Sequence, residues 1–232
     1  MSDAAIILQA RLGSARLPGK VLRTFGRHSL LAHCIRRLRE AQVGPVVVAT
    51  TMEDRDGAIA DEASRLGCPV YRGATDDVLA RYLAAAAGLD TRYVIRATAD
   101  NPVVDSEGTA RLLDAVRRGG AEYGLEVGLP IGAAVEVVAT ETLRRLDRLA
   151  SAADDREHVT LYIKRHQADF RVCMPLAPDA VRRPDLRLTV DTPENMLFMR
   201  SVIERVDRGM HPPRLEADIA AADGVLAAEL AA

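Results

Sequence analysis

Ala10-Arg11-Leu12-Gly13-Ser14-Ala15-Arg16-Leu17-Pro18-Gly19-Lys20 follows the apolar run Ala4-Ala5-Ile6-Ile7-Leu8 close to the amino terminus. The run reads as a parallel strand buried on both faces. The segment after it brings three cations, two glycines, a serine and a proline to the strand's carboxyl end. A loop at that place in an open α/β sheet is where ligands bind. Gly13 and Gly19 let backbone N–H groups approach phosphate oxygens, and Arg11, Arg16 and Lys20 supply charge. A basic surface turn uses the same residue types, but the position and density of these favour a polyphosphate site.

Spacing excludes two common phosphate loops. A Walker A loop has four residues between its glycine and Gly-Lys, then Ser or Thr; here five separate Gly13 from Gly19, and Val21 follows Lys20. A dinucleotide fingerprint, G-x-G-x-x-G, fails at Gly13-Ser14-Ala15. The rest of the composition narrows the class further. With 232 residues the chain makes one large domain with a substantial core. A net charge of -2 leaves no global field for nucleic acid or membrane, and three Phe, five Tyr and no Trp leave no stacking platform for single strands. Cys34, Cys68 and Cys173 form neither a metal pattern nor a disulfide framework, which favours a reducing cytoplasm. No apolar run is long enough to span a bilayer, and no signal-like start is present.

Outward from the loop, Leu30, Leu31, Cys34, Ile35 and Leu38 fall at helical spacing, predicting a helix over 29–41. Strands are expected at 45–50, 69–71 and 93–96, and helices at 56–66, 76–88 and 105–118. That alternation means a mostly parallel sheet covered on both faces. Beyond Gly120 the pattern changes. Strands are expected at 122–127, 133–138, 170–174 and 186–190, helices at 141–150 and 155–166, a long helix opening at Asp191-Thr192-Pro193-Glu194, and one or two short helices over 217–232.

Four further stretches carry chemistry. Arg96-Ala97-Thr98-Ala99-Asp100-Asn101-Pro102 sets a carboxylate at the end of the fourth strand, where with Mg²⁺ it would offset nucleotide charge, although Asp-Asn-Pro is also plain turn chemistry. Leu186-Arg187-Leu188-Thr189-Val190-Asp191-Thr192-Pro193-Glu194 contains a second such aspartate, or an ordinary helix cap. In Tyr71-Arg72-Gly73-Ala74-Thr75-Asp76-Asp77-Val78-Leu79-Ala80-Arg81-Tyr82 the aspartates suit a helix amino terminus. Arg156-Glu157-His158-Val159-Thr160 holds one of only five histidines.

Taken in order, these stretches resemble the cytidylyltransferases of the spore coat polysaccharide biosynthesis protein F type, relatives of the acylneuraminate and Kdo cytidylyltransferases. The first loop is similar to that family's A-R-x-G-S-x-R-L-P-G-K, and the later stretches to its R-x-T-G-D-x-P (with Ala99 for the glycine), R-G-x-x-D-V-L-x-R-Y, R-E-H-V-T and V-D-T-P-E. The likeness runs from about residue 6 to 195. It implies a three-layer α/β/α, nucleotide-diphospho-sugar-transferase fold, GT-A-like and Rossmann-like, as one domain over 1–232 with an excursion near 121–170 for acceptor binding and dimerisation.

The resemblance also implies the reaction: attack of a sugar or sugar-acid-like acceptor on the α-phosphate of CTP, with Mg²⁺, in a cytoplasmic homodimer. Arg11, Lys20, Asp100 and Asp191 are the implied catalytic residues, with the two aspartates on the metal. Leu8, Ala10, Gly13, Ser14, Arg16, Arg72, Asp77, Arg81 and Thr98 are implied around the nucleotide. Arg96, Asn101, Glu136, Arg156 and His158 are implied around the acceptor. The chain departs from the family's P-R-G-x-D-V-E-V, since Ile131 and Ala134 replace its arginine and aspartate. Two alternatives stay open at this point. One is a glycosyltransferase of the same fold, although Thr98-Ala99-Asp100 is not its usual D-x-D; the other is a non-catalytic nucleotide-binding protein.

Overall fold

The structure, a computed structural model, describes residues 3–208 and 214–231. The chain runs β1 (Ala4–Gln9), a short hairpin of β2 (Thr24–Phe25) and β3 (His28–Ser29), α1 (Leu30–Glu40), β4 (Val46–Thr51), α2 (Gly57–Arg65) and β5 (Val70–Gly73). It continues through α3 (Val78–Ala87), β6 (Tyr93–Thr98), α4 (Ser106–Gly119), β7 (Tyr123–Leu125) and β8 (Glu136–Ala139). The last elements are α5 (Thr140–Leu149), α6 (Ala153–Glu157), α7 (Leu161–Arg165), β9 (Val172–Cys173), α8 (Pro193–Arg208) and α9 (Leu215–Leu230). Among the described residues no helix is long and apolar enough to cross a membrane.

Seven strands form one sheet in the order β5-β4-β1-β6-β8-β7-β9. β5, β4, β1 and β6 are parallel, and β8 runs antiparallel to both β6 and β7. Strand alternation sends Ile6 and Leu8 to one layer and Ile7 to the other. The first layer packs on α1, α2, α4, α8 and α9, and the second on α3, α5 and α7. This is the expected three-layer α/β/α architecture. Because β4 and β5 extend the sheet on one side of β1 while β6 adds on the other, the chain reverses direction between β1 and β6. A ligand crevice opens at such a switch point.

The structure corrects four expected elements. The 155–166 helix is two short ones, α6 and α7, because Val159 takes φ 55° between them. The 170–174 strand shrinks to β9 at the sheet edge. The carboxyl-terminal alanine-rich stretch is one helix, α9. Most consequentially, 186–190 is extended but is no strand of the sheet. Leu186, Leu188 and Val190 bury on the first layer, while the backbone ties to two loops. Ile131 N–H donates to Leu186 O (2.9 Å), Leu188 N–H to Ile131 O (2.7 Å), and Val190 N–H to Asp100 O (2.9 Å).

A buried ion pair ties α9 into this frame. Arg37 of α1 and Asp218 of α9 are 4% and 2% exposed, and they pair while Arg37 Nε donates to Val104 O at 2.7 Å. Removing one partner leaves the other charge buried and uncompensated, which costs about 3–5 kcal/mol. Asp218→Ala should therefore lower the unfolding free energy by about 3 kcal/mol in urea titrations at neutral pH; a loss under about 1 kcal/mol would mean that the pair carries little.

Candidate active site

The loop after β1 is held from inside and from below. Leu12 O accepts from the N–H groups of Ser14 (2.9 Å) and Gly19 (3.0 Å), which folds the loop back on itself. Leu12 N–H donates to Asp56 Oδ1 at 2.8 Å, and Thr51 Oγ1 donates to the other oxygen of the same carboxylate. Asp56 is 1% exposed and stands just before α2. Sequence reading missed it, because an acid ahead of a helix reads as a cap; here its side chain makes no cap bond and serves the loop instead. Gly19 takes φ 70°, a conformation glycine adopts at no steric cost. The chain then enters a single 3₁₀ turn that buries Lys20.

Lys20 Nζ donates to Val190 O at 2.7 Å, Asp100 Oδ2 at 3.1 Å and Asp191 Oδ1 at 3.3 Å. One ammonium thus joins the first loop, the end of β6 and the 186–191 segment. Asp100 is further oriented by Thr98 Oγ1, which donates to its Oδ1 at 2.6 Å. Asp191 also pairs with Arg16 at 3.0 Å and with Arg187. Burial opposes the charge on Asp191, but Lys20, Arg16 and Arg187 outweigh it and hold the carboxyl below the usual carboxylate range. Its side chain does not cap α8. Thr192 does that, accepting from Asn195 N–H, while Asn195 Oδ1 receives the N–H groups of Asp191 and Thr192.

These groups wall a cavity of about 380 Å³ over the carboxyl ends of β1 and β6. Ala10, Arg11, Ser14, Arg16 and Lys20 line it from the loop, and Arg96, Thr98, Asp100 and Asp191 from the sheet side. Arg81 enters from α3, and Glu157 and His158 from the end of α6. Five cationic residues (Arg11, Arg16, Lys20, Arg81, Arg96) face three acids (Asp100, Glu157, Asp191), an excess that suits a polyanionic ligand.

Other expected residues stand apart from the lining. Leu8 is fully buried in the first layer, because alternation along β1 turns it away from the crevice and leaves Gln9 lining it instead. Gly13 faces the Arg55 guanidinium. Arg72 donates to Thr51 O (2.9 Å) and Glu53 O (2.8 Å). Asp77 caps α3 through Ala80 N–H and accepts from Arg156 Nε at 2.6 Å, and Arg156 also binds Asp147 at 2.8 Å. Asn101 donates to Thr98 Oγ1 at 2.9 Å, turned toward its own turn. Glu136 sits under the cavity floor, accepting from Arg96 (2.7 Å), Tyr123 (2.6 Å) and Thr160 (3.0 Å) and pairing with Lys164 at 2.6 Å.

Comparison with known proteins fits this geometry. The profile of the family described as Cytidylyltransferase matches residues 5–216. The chain belongs to the cytidylyltransferase family. It is 35% identical over 211 residues to the spore coat polysaccharide biosynthesis protein SpsF of Bacillus subtilis (strain 168), covering 88% of each chain. A cytidylyltransferase from Leptospira borgpetersenii serovar Hardjo-bovis (strain JB197) superposes with a TM-score of 0.82 at 30% identity, over 88% of this chain and 87% of that one. CMP:2-keto-3-deoxy-manno-octonic acid synthetase complexed with CTP shares the fold, with a TM-score of 0.67 at 17% identity over 87% of this chain and 98% of that one. This cytidylyltransferase is therefore a CTP-dependent nucleotidyltransferase. An acceptor oxygen bonds to the α-phosphorus of CTP while the bond to the departing pyrophosphate breaks. The glycosyltransferase and non-catalytic alternatives fall with this assignment.

The position of Asp191 depends on a close backbone approach at Gly132, which takes φ 98°. A Cβ there would stand 2.9 Å from Thr189 N and 3.0 Å from Leu188 C, in the segment that leads to Asp191. Gly132→Ala should cost about 1–3 kcal/mol in stability and weaken CTP binding, although residue 132 does not line the cavity. Gly67→Ala, strained at φ 61° but with open space around it, should lose stability alone. Thermal denaturation and CTP titration of the two variants check this; equal CTP affinity would show that the 186–191 segment does not set the site.

Proposed function

We propose that the enzyme transfers the cytidylyl group to an acidic, sugar-type acceptor, with Asp100, Asp191 and Lys20 at the phosphates. The observation that carries this reading is the convergence of both carboxylates on the one Lys20 ammonium at the mouth of a basic cavity. The names of the relatives support the acceptor class, and the cationic excess of the lining suits an acceptor that brings a charge of its own. In this reading the nucleotide draws on Ala10, Arg11, Ser14, Arg16, Lys20, Arg81 and Thr98, and the acceptor on Arg96 and His158. Glu136 acts beneath them as a positioning residue for Arg96.

The donor set fits Mg²⁺. Two carboxylates already gather around a cation here, and among the described residues no group of three or more His, Cys, Asp or Glu forms a closed cage. Mg²⁺ favours that arrangement, taking one or two carboxylates and completing its shell with phosphates and water. Asp100 and Asp191 would hold the ion, which would supply charge neutralisation and Lewis-acid polarisation of the phosphates. The chain's own part is positioning and electrostatics. Lys20 and Arg16 lie beside the carboxylates, within reach of anionic oxygens, and Arg11 extends the same row along the loop.

Pyrophosphate release from CTP with Mg²⁺ and a sugar-acid acceptor should exceed release with UTP, ATP or GTP; equal use of the four nucleotides would sink the reading. Asp100→Asn and Asp191→Asn should each abolish turnover while largely keeping the fold. The double variant should be no worse than either single one, since both serve one ion. Lys20→Ala should weaken CTP binding even without metal. An Asp191→Asn enzyme with near-normal turnover and only a lower melting temperature would reduce that residue to a structural part.

We also assign the working enzyme to a homodimer formed through the 121–170 excursion, and its place to the cytoplasm, in keeping with three free cysteines. Light scattering at micromolar concentration should give twice the 25.1 kDa chain mass, and a monomer there would refute the dimer.

A further inference from the structure

A second basic cavity opens at the other end of the sheet. It holds about 410 Å³, against about 380 Å³ for the nucleotide cavity, and the two share no residue. Arg92 lines it from just before β6, Arg144, Arg145 and Arg148 from α5, and Arg171 from just before β9. Only two acids, Glu122 and Glu141, stand among these five arginines. The nucleotide cavity sets five cations against three acids, so the cationic excess is larger here, in a chain whose net charge is -2. Tyr93 at the start of β6 lines this cavity, and Thr98 at its end lines the other. At about 3.3 Å per residue, the strand holds the two about 16 Å apart.

Neutral groups hold several of these guanidiniums in place. Arg92 lies over the Tyr93 ring at 5.3 Å, and Arg145 over the Phe170 ring at 4.4 Å. Arg145 also donates to Asp169 O at 3.1 Å, and Arg171 Nε donates to Gly120 O at 2.9 Å. Rings and carbonyls orient a guanidinium without cancelling its charge. The carboxylates cancel only part of it. Glu122 is shared between Arg145 at 3.3 Å and Arg171 at 3.6 Å, and Glu141 pairs with Arg144 at 3.0 Å. Arg92 and Arg148 form no ion pair among the described residues. A single exposed arginine attracts an anion weakly, but a concave set of them focuses its field on one place.

We propose that this cavity is a second anion site, which takes a phosphate group of two or more negative charges, free in solution or on a lipid headgroup. The planar forks of arginine match phosphate oxygens in pairs, which gives geometry as well as charge. A second copy of the chain is a poorer occupant. An isologous contact near its two-fold axis sets a patch against itself, and five arginines would meet five. The site is joined to the nucleotide cavity by one strand. Glu136 at the start of β8 holds Arg96, and Ala139 at its end lines the arginine cavity.

Inorganic pyrophosphate tests this, titrated by calorimetry into the full chain already saturated with Mg²⁺ and a non-hydrolysable CTP analogue. Wild type should bind one pyrophosphate per chain, more weakly as salt is raised. The double change Arg92→Ala with Arg148→Ala should weaken that binding about tenfold or more. Glu141→Gln, which frees Arg144, should tighten it about threefold. All these variants should bind the CTP analogue within about twofold of wild type. Sedimentation with vesicles of phosphatidylcholine and phosphatidic acid separates the two sources. Co-sedimentation that the double variant loses assigns the site to a lipid phosphate, and pyrophosphate binding without co-sedimentation assigns it to a soluble one. Absence of both in wild type would overturn the site, as would unchanged pyrophosphate binding in the double variant. Pyrophosphate that only displaces the CTP analogue would place the binding in the active site, against the proposal. An altered mass of the double variant in light scattering would give the arginines to a contact between copies, and would overturn it too.

Discussion

The site depends on the position of one ammonium group. Lys20 Nζ reaches Asp100, Asp191 and the Val190 carbonyl together, from a residue only 8% exposed. Two carboxylates brought this close repel one another unless a cation lies between them. A lysine so buried is tolerated only where partners surround it. Each requirement answers the other, and the answer fixes three segments that are far apart in the chain. The crevice therefore keeps its two carboxylates side by side without an added ion. In the proposed reading, a nucleoside triphosphate entering it would offer Lys20 and Arg16 new anions and leave the carboxylates to a divalent cation.

Two supports keep that ammonium in place. From below, Asp56 accepts the Leu12 N–H and thereby anchors the loop to the end of β4. From the side, backbone bonds lace the 186–191 segment to Asp100 and Ile131, and Thr189 Oγ1 adds one to Asp100 O at 3.3 Å. Both supports rest on hydrogen bonds shielded by the fold, which are costly to leave unmade. A different clasp closes the far wall. Arg156 gathers Asp77, Asp147 and the Ala150 carbonyl, and so pins α6 against the start of α3 and the end of α5. The expected acceptor contact at residue 156 is a fastening, and its neighbours Glu157 and His158 reach the cavity because of it.

Much of this was legible in the sequence where periodicity and spacing carry it. β1, α1, β4 and β6 lie within a residue or two of their expected bounds, because buried parallel strands and amphipathic helices have strong patterns. The two-residue strands of the β2–β3 hairpin are too short to show one. The 186–190 segment alternates like a strand, but its N–H groups go to loops, which no local pattern reveals. The break at Val159 was hidden because a β-branched residue at positive φ is rare. The charged motifs lie on loops that line the cavity, yet side-chain parity decides which of their residues face inward. Leu8 and Gln9 are adjacent, and only Gln9 lines the cavity. Arg72 and Glu136 look like ligand groups in a string of letters, while the fold occupies them with carbonyls and an internal ion pair.

The departures at Ile131 and Ala134 can be placed on the same physical footing. Ile131 is 50% exposed, Ala134 packs at the edge of the first-layer core, and neither lines the cavity. What residue 131 gives the site is its backbone, an N–H to Leu186 O and a carbonyl from Leu188 N–H, and any L-residue there can make those bonds. The placement of Asp191 is thus insensitive to the charge that this position lacks. Gly132 next door is different, since its neighbours leave no room for a Cβ. The position of Asp191 is consequently decoupled from the side chains at 131 and 134, while it stays sensitive to any side chain at 132.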